Sequence, residues 1–489
     1  MRFVGREREV RALNAELDKP APSLIVAYGR RRVGKSRLLR EVADRRPSVV
    51  FQATRVSSIL NLEHFKARIA ERLGTSAILD AISTWEGTLH FLADLARERL
   101  PGLVVVLDEF PYITDNDPSL PSVFQRFWDS GAAREGRLKL VLCGSAIAQM
   151  EEFLAERNPL YGRKTMSLSL KQLPLREAAL FFPRYDAEAI VRTYAVFGGM
   201  PYYLELCDPD QDLRENVIAL LLSEGGNLVD EPNVLLKNEL RDPHTPASIL
   251  TALAGGCTTS KEIADRLRVE TKDLSPYLPK LKRLDLIRIG RSLDADPRSR
   301  NLRYAVNDHL IAFWHRFVGP NMSAITAGGG SEVYDIIVDR AFSEYMGTAF
   351  EDICLDFTRR HAKEVMGVTA QEVGQIWGHA DFDIDVAGRL LDGTHFFGEC
   401  KWRSAPIDRR ILETLRERSD KTAYGRGRSG HRLLLFSRLG FRPDVAELPS
   451  VDASVHLIDP DRLVFGSLRA PRDKPDDDAA DGPDDGFRI

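Results

Sequence analysis

The segment that most limits what this chain can fold into is Gly29-Arg30-Arg31-Arg32-Val33-Gly34-Lys35-Ser36, set between the apolar run SLIVAY and the helical pattern SRLLREVADR. G-x-x-x-x-G-K-S between a strand and a helix is a phosphate loop. Its glycines let backbone N–H groups turn into one anion-sized hollow, and the start of the next helix adds partial positive charge there. Lys35 is expected to reach the β and γ phosphates of ATP. Ser36 is expected to give its hydroxyl to Mg2+, which prefers oxygen ligands. The rest of the loop, with Arg37 after it, is expected to line the same nucleotide.

The second half of such a site is LVVVLDEF at 103–110. Its apolar residues read as a buried strand ending at Asp108, which would hold Mg2+ directly or through water. Glu109 would orient and deprotonate the attacking water. An acidic pair after a strand also serves as a helix cap, but with the phosphate loop upstream the two signals support each other. SLIVAYG, SVVFQAT, LVVVLDEF and LKLVLCGS read as four near-continuous apolar strands separated by helices, the pattern of a parallel sheet covered on both faces. Ser145, after the fourth strand, could sense the γ-phosphate or simply turn the chain. Arg163 in LYGR could stabilise transition-state charge as a finger, although a lone arginine is more often a surface residue.

At 489 residues the chain has room for about three or four domains. Its net charge of −4 excludes a uniformly basic nucleic-acid binder, so any such site must be a local patch. MRFVGREREV lacks the apolar stretch of a secretory signal, and no apolar run is long enough to cross a bilayer. The expectation is a cytoplasmic protein with no membrane contact. Cys143, Cys207, Cys257, Cys354 and Cys400 are scattered with no C-x-x-C pair, so neither disulfides nor zinc are expected. Residues 165–240 read as helices broken at Gly198-Gly199 and Pro201. The acidic stretch from Ala470 onward cannot bury a core and is expected to be disordered.

FVGREREV, YGRRRVGKS, VLDEF, CGS, LYGR and FGGMPYYLE, in this order, resemble the archaeal-type ATPase family, a branch of the STAND and AAA+-like P-loop ATPases. The likeness continues through LLKNELRDPH and DHLIAFWHRFV to GECKW. It implies an α/β chain: a P-loop NTPase αβα core (1–160), a helical lid (161–240), a winged helix (241–320) and a restriction-endonuclease-like α/β domain of the PD-(D/E)xK type (321–468), before the tail (469–489). It also implies that Val4, Gly5 and Arg6 flank the adenine, and that Pro201, in a G-x-P segment, links lid movement to the nucleotide.

The residues of the last two domains carry their own signals. CTTSKEIADRLRVETKDLSPYLPKLKRLDLIRIG reads as helix–turn–helix, capped by Thr259 or Ser260, with a hairpin wing after it. From Lys261 to Arg303 twelve Lys or Arg face seven Asp or Glu, a local excess that suits a phosphate backbone. Winged helices also bind proteins. In DFDIDVAGRLLDGTHFFGECKWR, period two puts Asp383 with Asp385, and Glu399 with Lys401. An antiparallel hairpin would bring these together, two carboxylates holding Mg2+ and Lys401 activating water; an ordinary charged solvent face is the plain alternative. Asp385 matches the family's first acidic position, and Glu351 could complete the set. The leading expectation is an ATP-regulated protein acting on DNA. The alternative is a STAND-like regulatory switch whose C-terminal modules bind protein or DNA without cleavage. A second copy of the chain or another protein is left open as a partner.

Overall fold

The computed structural model describes residues 3–74, 76–296, 298, 299, 301–378 and 382–466. The expected acidic tail lies outside them.

Five parallel strands form the first sheet: β1 (Ser23–Tyr28), β2 (Ser48–Gln52), β3 (Val104–Asp108), β4 (Lys139–Gly144) and β5 (Met166–Ser169), in the order β2-β3-β4-β1-β5. β3 and β4 are buried throughout, as runs of Val and Leu with helices on both faces require. β4 separates β1 from β3. The phosphate loop leaving β1 and Asp108 closing β3 are therefore about two strand spacings apart, roughly 10 Å, with Gly144-Ser145 between them. β5 corrects the expectation that residues 165–240 lack strands. It is a four-residue edge strand whose side chains alternate between half-buried and exposed, so MSLS carries no apolar run.

After β5, Gly199 pairs with Leu173, whose N–H donates to its carbonyl at 2.7 Å. A Cβ on Gly199 would sit 1.9 Å from Leu173 O, so only glycine allows this approach. Helix Ala187–Phe197 stops before it and helix Pro201–Leu206 starts after it.

The next unit has helices His244–Ala254, Ser260–Leu267, Thr271–Leu274 and Leu278–Arg283 around Ile249, Leu250, Ile263, Leu274 and Leu281. Thr259 caps the second through a capping box with Glu262. An antiparallel hairpin follows, β6 (Ile287–Arg291) and β7 (Leu302–Val306).

Helix Asp339–Met366 leads into the second sheet: β8 (Ala370–Ile376), β9 (Ile384–Leu390), β10 (His395–Lys401), β11 (Arg432–Ser437) and β12 (Val455–Ile458), in the order β12-β11-β10-β9-β8. β9 pairs antiparallel with both β8 and β10, and β10, β11 and β12 run parallel. Alternation along the strands sorts the faces. Val386, Phe396, Leu434 and Phe436 pack toward helix Asp339–Met366, and Ala387, Phe397, Leu433 and Leu435 toward helix Arg409–Lys421.

The units are fastened to one another. Helix Pro460–Phe465 packs on Ala187–Phe197, so one apolar core runs from Leu13 to Val464. Arg176 donates to Leu463 O and Arg462 O at 3.0 Å and pairs with Glu364. Among the described residues no helix is long and apolar enough to cross a membrane.

Candidate nucleotide site and candidate acidic site

The phosphate loop needs glycine at its start: a Cβ on Gly29 would lie 2.4 Å from Leu170 O. Lys35 opens helix Lys35–Ala43 and is buried, and its ammonium donates to Gly29 O at 2.8 Å and Arg30 O at 3.0 Å. Burial pushes its pKa down. Ser36 Oγ donates to Asp108 Oδ2, so the two groups expected at Mg2+ are already in contact. Glu109 is half-buried with φ at 53°, and its Oε2 accepts from Ser145 N at 3.1 Å and Ser145 Oγ at 2.8 Å. Ser145 thus reaches the candidate base across the end of β4.

The arginines of the loop spread to different elements. Arg30, only 7 % exposed, donates from Nη1 to Asp308 Oδ2 at 2.7 Å, and its Nε and Nη2 are buried with no partner among the described residues. Asp308 also caps the helix His309–Phe313 and accepts from Gln172 Nε2, whose own Oε1 takes the N–H of Gly199. Arg31 donates to Tyr112 Oη. Arg32 pairs with Glu231 and lies over the ring of Tyr202. Arg37 pairs with Glu205. In this conformation the side chains of Arg31, Arg32 and Arg37 engage protein. The loop offers a nucleotide its N–H groups, Lys35 and the unpartnered nitrogens of Arg30. Val33 is buried, and its carbonyl accepts from Arg6 Nη2 at 2.9 Å, as does that of Lys171 at 2.5 Å. Arg6 is therefore a strut beneath the loop. Gly5 and Arg6 abut Glu177, which accepts from Arg6 N at 2.7 Å, and Val4 is half-buried before them. Pro201 stands against Gly34, 3.7 Å from where a Cβ would be. The buried orphan nitrogens, the loop N–H groups and the Ser36–Asp108 pair suit a magnesium-bound polyphosphate.

Arg163 lies apart from the phosphate loop in this conformation. Its guanidinium grips Asp129 with two contacts of 2.8 Å and donates to Pro159 O and Tyr161 O, none of them a group of the phosphate site.

In the second sheet the β9–β10 hairpin forms, with His395 opposite Arg389 and Gly398 opposite Val386. One step further lie Asp385 and Glu399. Asp385 Oδ2 accepts from Cys400 N at 2.8 Å. Glu399 is 7 % exposed, with Lys401 Nζ at 2.5 Å and Arg418 Nη1 at 3.6 Å. Burial, then the charge of Glu399, pushes the Asp385 carboxyl up; burial, then Asp385, pushes Glu351 up further. Glu351, Asp385, Glu399 and Lys401 therefore share one neighbourhood. The three carboxylates are not set around one point in this conformation: among the described residues no three His, Cys, Asp or Glu are grouped to hold an ion. Lys401 and Arg418 draw Glu399 to themselves, and Cys400 N–H occupies an oxygen of Asp385. Asp383 pairs instead with Arg303 at 2.8 Å.

The basic segment is partly spent. Arg288 Nη1 donates to Asp352 at 2.7 Å, Arg303 lies over Trp377, and the loop after β6 is tied to β8 through Leu293 N to Gln375 O at 3.0 Å. Lys280, Lys282, Arg283 and Arg291 remain exposed. The sequence reading missed Asp308, Gln172, Glu231 and Glu239. Only the folded chain brings them to the loop, and no spacing announces it.

A family model described as an ATPase domain predominantly from Archaea matches residues 3–207, and one described as Archaea bacterial proteins of unknown function matches 314–417. An uncharacterized protein of Methanocaldococcus jannaschii is 33 % identical over 420 residues, 85 % of this chain and 90 % of that protein. Among solved structures, the Walker-type ATPase of Pyrococcus abyssi is 22 % identical with a TM-score of 0.48, covering 64 % of this chain and 96 % of that one. The ORC2 protein of Aeropyrum pernix is 16 % identical with a TM-score of 0.42, covering 70 % and 96 %.

Proposed function

We propose a function from one premise: the chain belongs to the family of ATPases found predominantly in Archaea, and it binds and hydrolyses ATP. The finer reading is a magnesium-dependent ATPase that governs a nucleic-acid-acting C-terminal domain. In the first site Glu109 takes the proton of the attacking water, Lys35 and the loop N–H groups hold the phosphates, and Ser145 orients Glu109. Ser36 and Asp108 are the residues that would hold Mg2+, which neutralises phosphate charge when bound.

In the second site the reading is phosphodiester hydrolysis of DNA. The observation that carries it is the group formed by the buried Glu399 and the half-buried Asp385, Glu351 and Lys401 at the end of the β9–β10 hairpin. Gathering carboxylates in a buried place costs stability and is characteristic of sites that bind or react. Helix Asp339–Met366, the β9–β10 hairpin and helix Arg409–Lys421 follow one another as helix, hairpin and helix, which supports the PD-(D/E)xK reading. Plasmid DNA incubated with the chain and Mg2+, with and without ATP, tests it: nicking that Glu399→Ala removes supports the reading, and intact plasmid under all conditions sinks it.

A second reading has its own support. Glu399 is held by Lys401 and Arg418, and the hairpin β6–β7 is docked on β8. Both suit a regulatory switch whose C-terminal units bind DNA or protein without cutting. ATP-dependent DNA retention in a gel, without nicking, is its signature.

A further inference from the structure

The cavity at the phosphate end of the nucleotide site contains two carboxylates that the hydrolytic reading leaves without work. Both belong to helix Glu231–Glu239, which lies across the cavity lined by Arg30, Arg31 and Ser145. Its two ends are held differently. Glu231 is buried, paired with Arg32, and accepts from Tyr203 Oη at 3.1 Å. Pro232 follows it, and the buried Leu236 packs into the core of the neighbouring helical unit. Glu239, eight residues on, has no hydrogen bond or ion pair among the described residues. Its carboxylate sits in the field of Arg31, Arg30 and Lys35, and of Glu109 with the opposite sign. Burial pushes its carboxyl up.

A half-buried carboxylate near three cations, bonded to none of them, sets their attraction against the cost of its burial. A γ-phosphate on Lys35 would satisfy the same cations and add negative charge to the same cavity, turning that attraction into repulsion. ADP would not, because its charge ends one phosphate earlier. We propose that Glu239 is the group that distinguishes ATP from ADP in this chain: the γ-phosphate expels its carboxylate, and the C-terminal end of helix Glu231–Glu239 swings out about the Glu231–Arg32 end. This rests on the nucleotide reading of the first site. The end that moves has a destination for its signal. Asn238 to Asp242 line a groove together with Ala146 to Gln149, Tyr277, and the exposed Lys280 and Arg283 of helix Leu278–Arg283. Release of Glu239 changes the groove on that side.

The test is titration calorimetry of the full chain with Mg2+ and either a non-hydrolysable ATP analogue or ADP. Glu239→Gln keeps size and removes charge. It should tighten the analogue at least about fivefold, the low end of measured site couplings, while ADP binding stays the same. Glu239→Asp should keep the wild-type ratio. Hydrogen exchange on the wild-type chain gives an independent readout: residues 238–242 should exchange faster with the analogue than with ADP. An unchanged analogue-to-ADP ratio in Glu239→Gln, or an equal shift for both nucleotides, overturns the proposal and leaves the nucleotide site standing. Equal exchange at 238–242 with either nucleotide overturns the swing. If the wild-type chain binds neither nucleotide, the reading of the first site itself fails.

Discussion

Each of the two sheets ends in a lysine and buried acids, but the balance of charge differs. At the phosphate loop a row of N–H groups adds to Lys35, Arg30 and Arg31, which lie among Asp108, Glu109, Asp308 and Glu239. At the end of the β9–β10 hairpin the acids prevail: Glu351, Asp385 and Glu399 face Lys401 and the more distant Arg418. The first arrangement draws a polyanion directly. The second repels one until a cation neutralises it. The difference suits different first partners, a nucleotide for one and, on the proposed reading, a cation for the other, and each expected effect below separates them.

The largest effects belong to the first site. Glu109→Gln keeps the hydrogen bonds from Ser145 and removes the base, so ATP turnover should fall about 10²–10⁴-fold with nucleotide binding intact. A steady-state assay near the wild-type rate would assign the water to another group. Lys35→Ala should remove detectable ATP binding in a titration, because among the described residues no other ammonium reaches Gly29 O and Arg30 O. Neither change should alter metal-dependent DNA nicking measured without ATP. If nicking also falls, the two sites are coupled more tightly than their separate sheets suggest.

In the second site, Asp385→Ala and Glu399→Ala should each bring nicking to background while ATP turnover stays at the wild-type rate. Lys401→Ala should do the same to nicking yet bind Mg2+ at least as well, since it frees Glu399 from its nearest cation. Metal titration of the three variants is the check. Equal loss of metal binding in all three would mean that Lys401 shapes the acids rather than the water.

How much of this could be read beforehand divides along the same line. The phosphate loop was legible because its demands are local: glycines, a lysine and a hydroxyl at fixed spacing after an apolar strand. The β9–β10 hairpin was legible from its alternation, and its register puts Asp385 and Glu399 one step past the Val386–Gly398 pair. Long-range partners were not. Met166–Ser169 hides as an edge strand with two exposed residues. Arg303 was counted as a free cation, but Asp383 and Trp377, both distant in sequence, claim it. Charge counting along a chain cannot see which charges folding will pair.

Arg30 and Asp308 sharpen the comparison at the next level. This buried pair joins the phosphate loop to the helix that follows β7. Removing one partner of a buried pair strands the other, at about 3–5 kcal/mol. Asp308→Ala also loses a helix cap and the contact to Gln172. It should lower the melting temperature measured by calorimetry by several degrees, and more than Asp308→Asn, which keeps the cap. Equal melting of both variants would mean that the charge, and not the cap, carries the effect.

The smallest effect is expected at Arg163, and its smallness is informative. A finger on the γ-phosphate is worth about 10³–10⁵ in rate. Arg163 is instead clasped by Asp129 on the surface, with the Asp129 side chain 49 % exposed. An exposed pair of this kind is worth roughly 0–1 kcal/mol. To reach the phosphates of its own chain, the guanidinium would have to leave Asp129 and the carbonyls of Pro159 and Tyr161 together. Arg163→Ala should therefore change turnover by less than about twofold, on the order of such a surface pair. Turnover measured across a range of protein concentrations extends the test. A loss that grows as the chain is concentrated would assign Arg163 to the site of a second copy, where its exposure is an advantage. A loss of a thousandfold at every concentration would return it to its own site and show that Asp129 releases it when ATP binds.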